Sequence, residues 1–415
     1  MGTHKDKVNR LNEVISENKV CIDDLRGIAF HGIPDTGHLR DICWKILLNY
    51  LPLQRDKWEN ELKNKRDLYF TYIDELLVSP GSAADDLLEH EESDHPLNAN
   101  PNSNWNAHHK DNDILLQIDK DCRRLCPDYS FFQAPTRYPL HKISKIDSSA
   151  TLRRRVEITV LESLTMACSR FGINSLRITP TESEYATLTD EETHWEVVER
   201  ILFIYAKLNP GIGYVQGMNE LIGPLYFVFA TSTNEDSQKY AEMDAFFCFV
   251  NLMSEIRDNY TKSLDNSNFG ITTEMKLVMN LVNELDYPVY IELKKQDIHP
   301  QFFVFRWLTL LLSQEFALPD LLRLWDTLFS DENRFAYARY ICAAMIILKR
   351  DILLGGEFHA SIRVLQKYQE SIDNTLSKAY ELFKQHTQSG EIPNGSMFKM
   401  GFINRLLNRP NKEDD

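Results

Sequence analysis

An all-α fold is what this sequence predicts, and three observations carry it. Apolar residues recur at helical spacing through most of the 415 positions, no convincing period-two strand interrupts them, and Pro, Gly and Asn punctuate the ends of the periodic stretches. In chain order, an entry helix near Leu25 to Phe30 runs into the turn Gly32-Ile33-Pro34. Leu39 to Leu51 then shows one apolar face, and Pro52 ends it. Trp58 to Leu77 is a further helix, closed by Ser79-Pro80-Gly81. From about 79 to 110 the composition turns acidic and Asn-rich, which predicts a first irregular insertion. A second is predicted over about 144–193, where Ser and Thr are enriched and only Leu152 to Cys168 has a weak helical pattern.

Order returns at Thr193-His194-Trp195-Glu196, a Thr-x-x-Glu capping box, after which Trp195, Val198, Leu202 and Tyr205 share one face. Asn209-Pro210-Gly211 ends that helix, and another begins near Tyr214 or Gly217. Further helices are expected at Ala241 to Arg257, Thr273 to Leu285, Gln301 to Phe316, Asp320 to Phe329 and Phe335 to Leu353. Phe358 to Tyr368 and Ile372 to Phe383 are amphipathic candidates, and Asn411 to Asp415 reads as a frayed end.

A formal charge of −15 speaks against a nucleic-acid groove, which needs clustered Lys and Arg in excess, and suits a basic partner surface better. Seven cysteines spread through apolar stretches read as buried free thiols of a reducing compartment. The N-terminus has no apolar signal region, and no apolar run reaches the roughly 18 to 20 residues of a membrane span. A cytoplasmic protein is expected. His108, His109, Asp111 and Asp113 are metal-ligating types, but adjacent histidines on a solvated loop diverge. No second Cys/His pair follows Cys122 and Cys126 at zinc-site spacing, so no metal site is expected. The run Arg153-Arg154-Arg155 is read as an exposed charged stretch.

Two segments carry candidate chemistry. In Ile118-Asp119-Lys120-Asp121-Cys122-Arg123-Arg124, helical geometry puts Ile114, Ile118, Cys122 and Leu125 on one apolar arc with Asp121 at its edge. Arg124, three positions on, is within reach of that carboxylate, and Pro127 places it in the final turn of the helix. In Tyr214-Val215-Gln216-Gly217-Met218-Asn219, glycines allow a tight bend that presents Gln216. The spacing Gly211-x-Gly213-x-x-x-Gly217 is one residue too long for a dinucleotide fingerprint and follows a helix instead of a strand. Taken singly, the first segment reads better as an ordinary intrahelical ion pair, and the second reads equally as a plain helix corner. Arginine and glutamine are also the side chains that GTP hydrolysis needs most, one for phosphoryl charge and one for the attacking water.

Together the segments resemble the signature of the TBC domain, a family of GTPase-activating proteins for Rab GTPases. Ile118, Asp121 and Arg124 match its I-x-x-D-x-x-R motif, and Tyr214, Val215 and Gln216 its Y-x-Q motif. Gly32-Ile33-Pro34 and Arg40 to Trp44 resemble its opening elements, with Asp41 where glycine is usual. Arg306-Trp307-Leu308-Thr309-Leu310, Ser313 to Phe316, Leu318-Pro319-Asp320 and Arg323-Leu324-Trp325-Asp326 resemble its C-terminal helices. The resemblance implies a two-lobed helical domain over 32–353, with a helical lead-in at 1–31 and a helical extension and tail at 354–415. It implies that Arg124 and Gln216 act in trans on a GTP-bound Rab, that Asp121 orients Arg124, and that Tyr214 holds the Gln216 loop. It further implies that Arg40, Trp44, Asn219 and Arg306 line or support the Rab-facing groove, with packing the alternative role for each. The protein would be a monomer without a cofactor of its own, because GTP and Mg²⁺ belong to the partner, and would meet membranes only through that Rab. A catalytically silent Rab-binding scaffold is the alternative.

Overall fold

The computed structural model describes residues 4–77, 104–143, 152–153, 155–157, 159–160, 191–260 and 270–388. Among them helices dominate, and the only β pairings are two isolated bridges, Lys19 with Gln54 and Pro135 with Thr193. The chain divides into two units, one formed by 1–61 with 248–415 and the other by 62–247.

In the unit 62–247 the helix Asn104–Cys122 packs on His194–Leu208, which in turn packs on Met218–Ala230. The expected cap is present, with the Thr193 amide donating to Glu196 Oε2 at 2.7 Å. His194–Leu208 is buried nearly all round and therefore carries charges into the core, where each needs a partner. Arg200, with none of its side chain exposed, is held by Glu192 and by both oxygens of Glu242, and Tyr69 donates to the same Glu242. Arg66 grips Asp244 with Nε at 3.0 Å and a terminal nitrogen at 2.9 Å. His194 stacks on Phe131 and meets the Tyr226 hydroxyl at 2.7 Å, while burial pushes its pKa down to about 4 and keeps it neutral.

In the other unit, Ile271–Leu285, Tyr337–Ile347 and Ile372–Gln388 pack side by side. Trp44, Trp325 and Phe329 form an aromatic cluster, with the Trp44 and Phe329 rings 5.0 Å apart and edge to face. Beneath it lies Asp326, which is wholly buried and accepts from the Ile33 amide at 2.8 Å, Trp44 Nε1 at 2.8 Å and Arg40 Nε at 3.2 Å. One carboxylate thus joins the turn 32–34, the helix Leu39–Leu47 and the helix Leu318–Phe329. Gly32 sits at φ +89°, which favours glycine, and a Cβ there would fall 2.6 Å from Arg323 Cδ and Nε and displace that side chain.

Several sequence expectations are corrected. The stretch Gln301 to Phe316 is not one helix: a 3₁₀ turn Pro300–Phe302 and the short helix Val304–Thr309 give way to a turn in which Leu311 and Leu312 take positive φ. The segment from Phe335 divides into Tyr337–Ile347 and Arg350–Gly355. Residues 104–110 of the first expected insertion belong to the helix Asn104–Cys122, and His109, Asp111 and Asp113 stand on that helix instead of a loop. Arg153 pairs with Glu196, and Arg155 is buried against Asn112 Oδ1 at 2.5 Å, so this part of the basic run is internal. Among the described residues, Leu140–Ile143, Glu235–Lys239 and Tyr287–Lys295 are helices that the sequence patterns do not place, while His4–Ser16 lies within the helical lead-in expected at 1–31. Residues 78–103, 144–151 and 161–190 of the two expected insertions, like the expected frayed end, lie outside the described residues.

Candidate functional site

The site is built on the end of the helix Asn104–Cys122. Ile118, Cys122 and Leu125 are wholly buried, as the apolar arc requires, and Ile114 is partly so. The helix stops two residues before Arg124, which therefore lies in the following turn and not in the last helical turn. Arg124 N donates to Asp121 O at 3.2 Å, a tightened turn of the kind that closes helices, and Cys126 with φ +42° and Pro127 prevent continuation. Leu125 anchors this turn, because Gly223 of Met218–Ala230 leaves it room: a Cβ at 223 would lie 3.1 Å from both Leu125 methyls.

The adjacent arginines do different things. Arg123 folds inward, with Nε donating to Asp119 at 3.0 and 2.9 Å and its guanidinium 4.4 Å from the Trp195 ring centroid. Arg124 turns outward with 72% of its side chain exposed. Its Nε donates to Lys120 O at 3.0 Å, and a terminal nitrogen donates to Asp121 Oδ1 at 3.2 Å. The base of the side chain is thereby aimed while most of the guanidinium stays open.

Asp121 is only 8% exposed and serves more than Arg124. Its Oδ2 accepts from the Tyr214 hydroxyl at 2.7 Å, and its backbone carbonyl accepts from Asn219 Nδ2 at 3.2 Å. Burial first, then the bond to Asp121, pushes the Tyr214 phenol up, so it stays protonated and donating. Tyr214 leads into a bend closed at both ends by left-handed glycines, Gly213 at φ +65° and Gly217 at φ +100°. Gly217 is the N-cap of Met218–Ala230, and Gln216 is exposed immediately before it. One carboxylate therefore ties the turn bearing Arg124 to the bend bearing Gln216, although the two are far apart in the chain.

Glu220, partly buried, was not foreseen as part of this site. Its Oε1 lies 3.5 Å from the Asn219 amide that also donates to Asp121 O. Burial first and then the charge of Asp121 push its pKa up from 4.5 to about 7, against the pull of Asn219. An acid whose folded pKa exceeds its unfolded one holds its proton more tightly when folded, so stability falls as pH rises from about 4.5 to about 7. Glu220→Gln should remove this slope and be roughly 1–2 kcal/mol more stable than the parent at pH 8. Thermal denaturation at pH 5 and pH 8 checks this; equal pH dependence in parent and variant would contradict it.

The four remaining sequence candidates divide. Asn219 is buried and belongs to the Asp121 network. Trp44 is wholly buried and Arg40 is occupied by Asp326, Asp35 and Ile33 O, so both act within the fold of their own unit in this conformation. Arg306 clamps Glu315 at 2.7 Å and Gln366 O at 2.7 Å. Among the described residues no cluster of three or more metal-ligating side chains is present, and no helix is long and apolar enough to cross a membrane.

Residues 176–354 match the Rab-GTPase-TBC domain family. TBC1 domain family member 13 of Homo sapiens is 50% identical over 392 residues, covering 91% of this chain and 98% of the relative. TBC domain-containing protein C1952.17c of Schizosaccharomyces pombe is 33% identical over 454 residues, covering 91% and 73%. The chain therefore belongs to the Rab-GTPase-TBC domain family. Its fold is similar to the crystal structure of the Ypt/Rab-GAP domain of Gyp1p, with a TM-score of 0.64, 21% identity and coverage of 94% of this chain and 100% of the other.

Proposed function

We propose that the chain accelerates GTP hydrolysis on a GTP-bound Rab, supplying Arg124 and Gln216 in trans. The observation that carries this is the double use of Asp121, which aims an exposed arginine and anchors the loop of an exposed glutamine. In the reaction, water attacks the γ-phosphorus and the bond to the β-phosphate oxygen breaks, giving GDP and phosphate. Negative charge spreads over the phosphoryl oxygens, and a guanidinium meets it with paired donors. The glutamine amide holds the water in line through its carbonyl and NH₂ groups. GTP and Mg²⁺ arrive with the Rab, so the activator needs no cofactor. It works as a cytoplasmic monomer and reaches membranes through its partner.

Single-turnover hydrolysis across a panel of GTP-loaded Rabs tests the reading. At least one Rab should be accelerated, and Gln216→Ala should lower that rate by about 10²-fold through misplacement of the water. Nucleotide-dependent binding with no acceleration of any Rab would overturn it in favour of a silent scaffold.

A further inference from the structure

Far along the chain from the Arg124 turn, the unit formed by 1–61 and 248–415 contains a cavity of about 710 Å³. Its walls come from the helices His4–Ser16, Ile22–Ala29, Leu318–Phe329 and Ile372–Gln388 and from Tyr337. Phe30, Tyr337 and Tyr380 give it an aromatic lining, and the volume suits a small organic molecule.

Its lining carries three cations and two carboxylates. Lys7, Arg10 and Arg323 line it, and among the described residues none has a carboxylate within 4.0 Å. Arg323 leans on Gly32 and donates from one terminal nitrogen to Thr327 Oγ1 at 2.7 Å, a neutral partner. Lys7 Nζ donates to the carbonyl of His31 at 2.7 Å, also neutral. Asp6 and Asp373 line the same space, and buried Asp326, near enough to act on Lys7 and Arg323, is already bonded to Ile33, Arg40 and Trp44. Burial and then the charge of Arg323 lower the Lys7 pKa, with Asp326 opposing. Burial likewise lowers that of Arg323, with Asp326 and Asp373 opposing and Arg40 adding to the fall. Two partly buried cations with neutral hydrogen-bond partners are an environment that an anion would relieve.

We propose that this cavity binds a small soluble phosphate monoester with an aromatic body, its dianion between Lys7 and Arg323 and its ring against Phe30, Tyr337 and Tyr380. A dianion matches two cations, and its oxygens can also accept from the Ser377 and Tyr380 hydroxyls that line the same space.

Isothermal titration of the full chain with phenyl phosphate, phenol and inorganic phosphate separates the contributions. Phenyl phosphate should bind saturably at one site and at least tenfold tighter than either fragment. Lys7→Met, on the partly exposed helix His4–Ser16, should weaken it about tenfold, the loss of one charge-assisted hydrogen bond, with unchanged thermal stability of the free protein. Ser377→Phe, at an exposed position of Ile372–Gln388, should abolish binding by filling the cavity. Phenyl phosphate binding no tighter than phenol would overturn the proposal, as would unaltered affinity in folded Lys7→Met or Ser377→Phe protein.

Discussion

Arg124→Ala is expected to lower the chain's stimulation of GTP hydrolysis on a Rab by about 10³- to 10⁵-fold, the effect of a trans arginine on phosphoryl transfer. The expectation rests on how the side chain is held. Its backbone lies in a turn anchored by Leu125 against Gly223, and its Nε is spent on Lys120 O. The guanidinium end is left to a partner, apart from one contact with Asp121 at 3.2 Å. Arg124→Lys should recover little, because an ammonium replaces a planar fork and cannot keep both the Lys120 contact and a paired grip on phosphate oxygens. Since 72% of the side chain is exposed, either variant should change stability by no more than about 0.5 kcal/mol. Asp121→Asn offers a graded comparison. It keeps the shape but loses the charge that aims Arg124 and accepts from Tyr214, so a smaller rate loss should accompany a measurable loss of stability. Single-turnover rates on a responsive Rab, set beside thermal denaturation of each variant, decide the matter. A near-parental rate for Arg124→Ala would show that the charge is met elsewhere.

What the sequence made legible follows from the range of the forces involved. The Thr193 to Glu196 cap and the glycine bend around Gln216 are encoded within a few residues, and each occurs where local chemistry predicts, whereas the helix before Pro127 already ends at Cys122. The break after Thr309 is different. Apolar residues run on through Leu310, Leu311 and Leu312, and no glycine or proline marks the change. Instead Leu312 N bonds to Trp307 O at 2.8 Å and Trp325 Nε1 to Leu311 O at 3.0 Å, contacts that offset left-handed leucines and that periodicity does not register. The basic run failed for a related reason. Arg155 is internal because Asn112 and the Phe203 ring, the latter 5.3 Å from its guanidinium, are there to receive it, and both are remote in sequence. At the site, Arg124 and Gln216 were found as residue types in motifs. Their connection through Asp121, and the involvement of Glu220, needed the fold to bring residues 121 and 214–220 together.

Asp326→Asn should produce the largest loss of stability, about 3–5 kcal/mol in the unit it occupies, because it breaks a buried ion pair by removing one partner. Asp326 accepts from the Ile33 amide, Trp44 Nε1 and Arg40, so every neighbour is a donor. An asparagine has one accepting oxygen, and its NH₂ group would face one of these donors. Arg40 would keep Asp35 as its one charged partner beside the Ile33 carbonyl, and Asp35 is 95% exposed and poorly placed to neutralise it. Burial already pushes the Asp326 carboxyl above its ordinary range against the pull of Arg40, Ile33 and Trp44, so the charge persists only through those partners. Arg40→Met with Asp326→Leu should restore part of the loss by removing both charges, but not all of it, since Ile33 N and Trp44 Nε1 stay buried without an acceptor at about 1–3 kcal/mol each. Urea denaturation followed by tryptophan fluorescence is suited to the measurement, because Trp44 and Trp325 lie in the affected cluster with ring centroids 6.0 Å apart. A midpoint shift equivalent to less than about 0.5 kcal/mol, the range of an ordinary surface substitution, would show that this carboxylate does not hold the turn 32–34 to the helix that carries it.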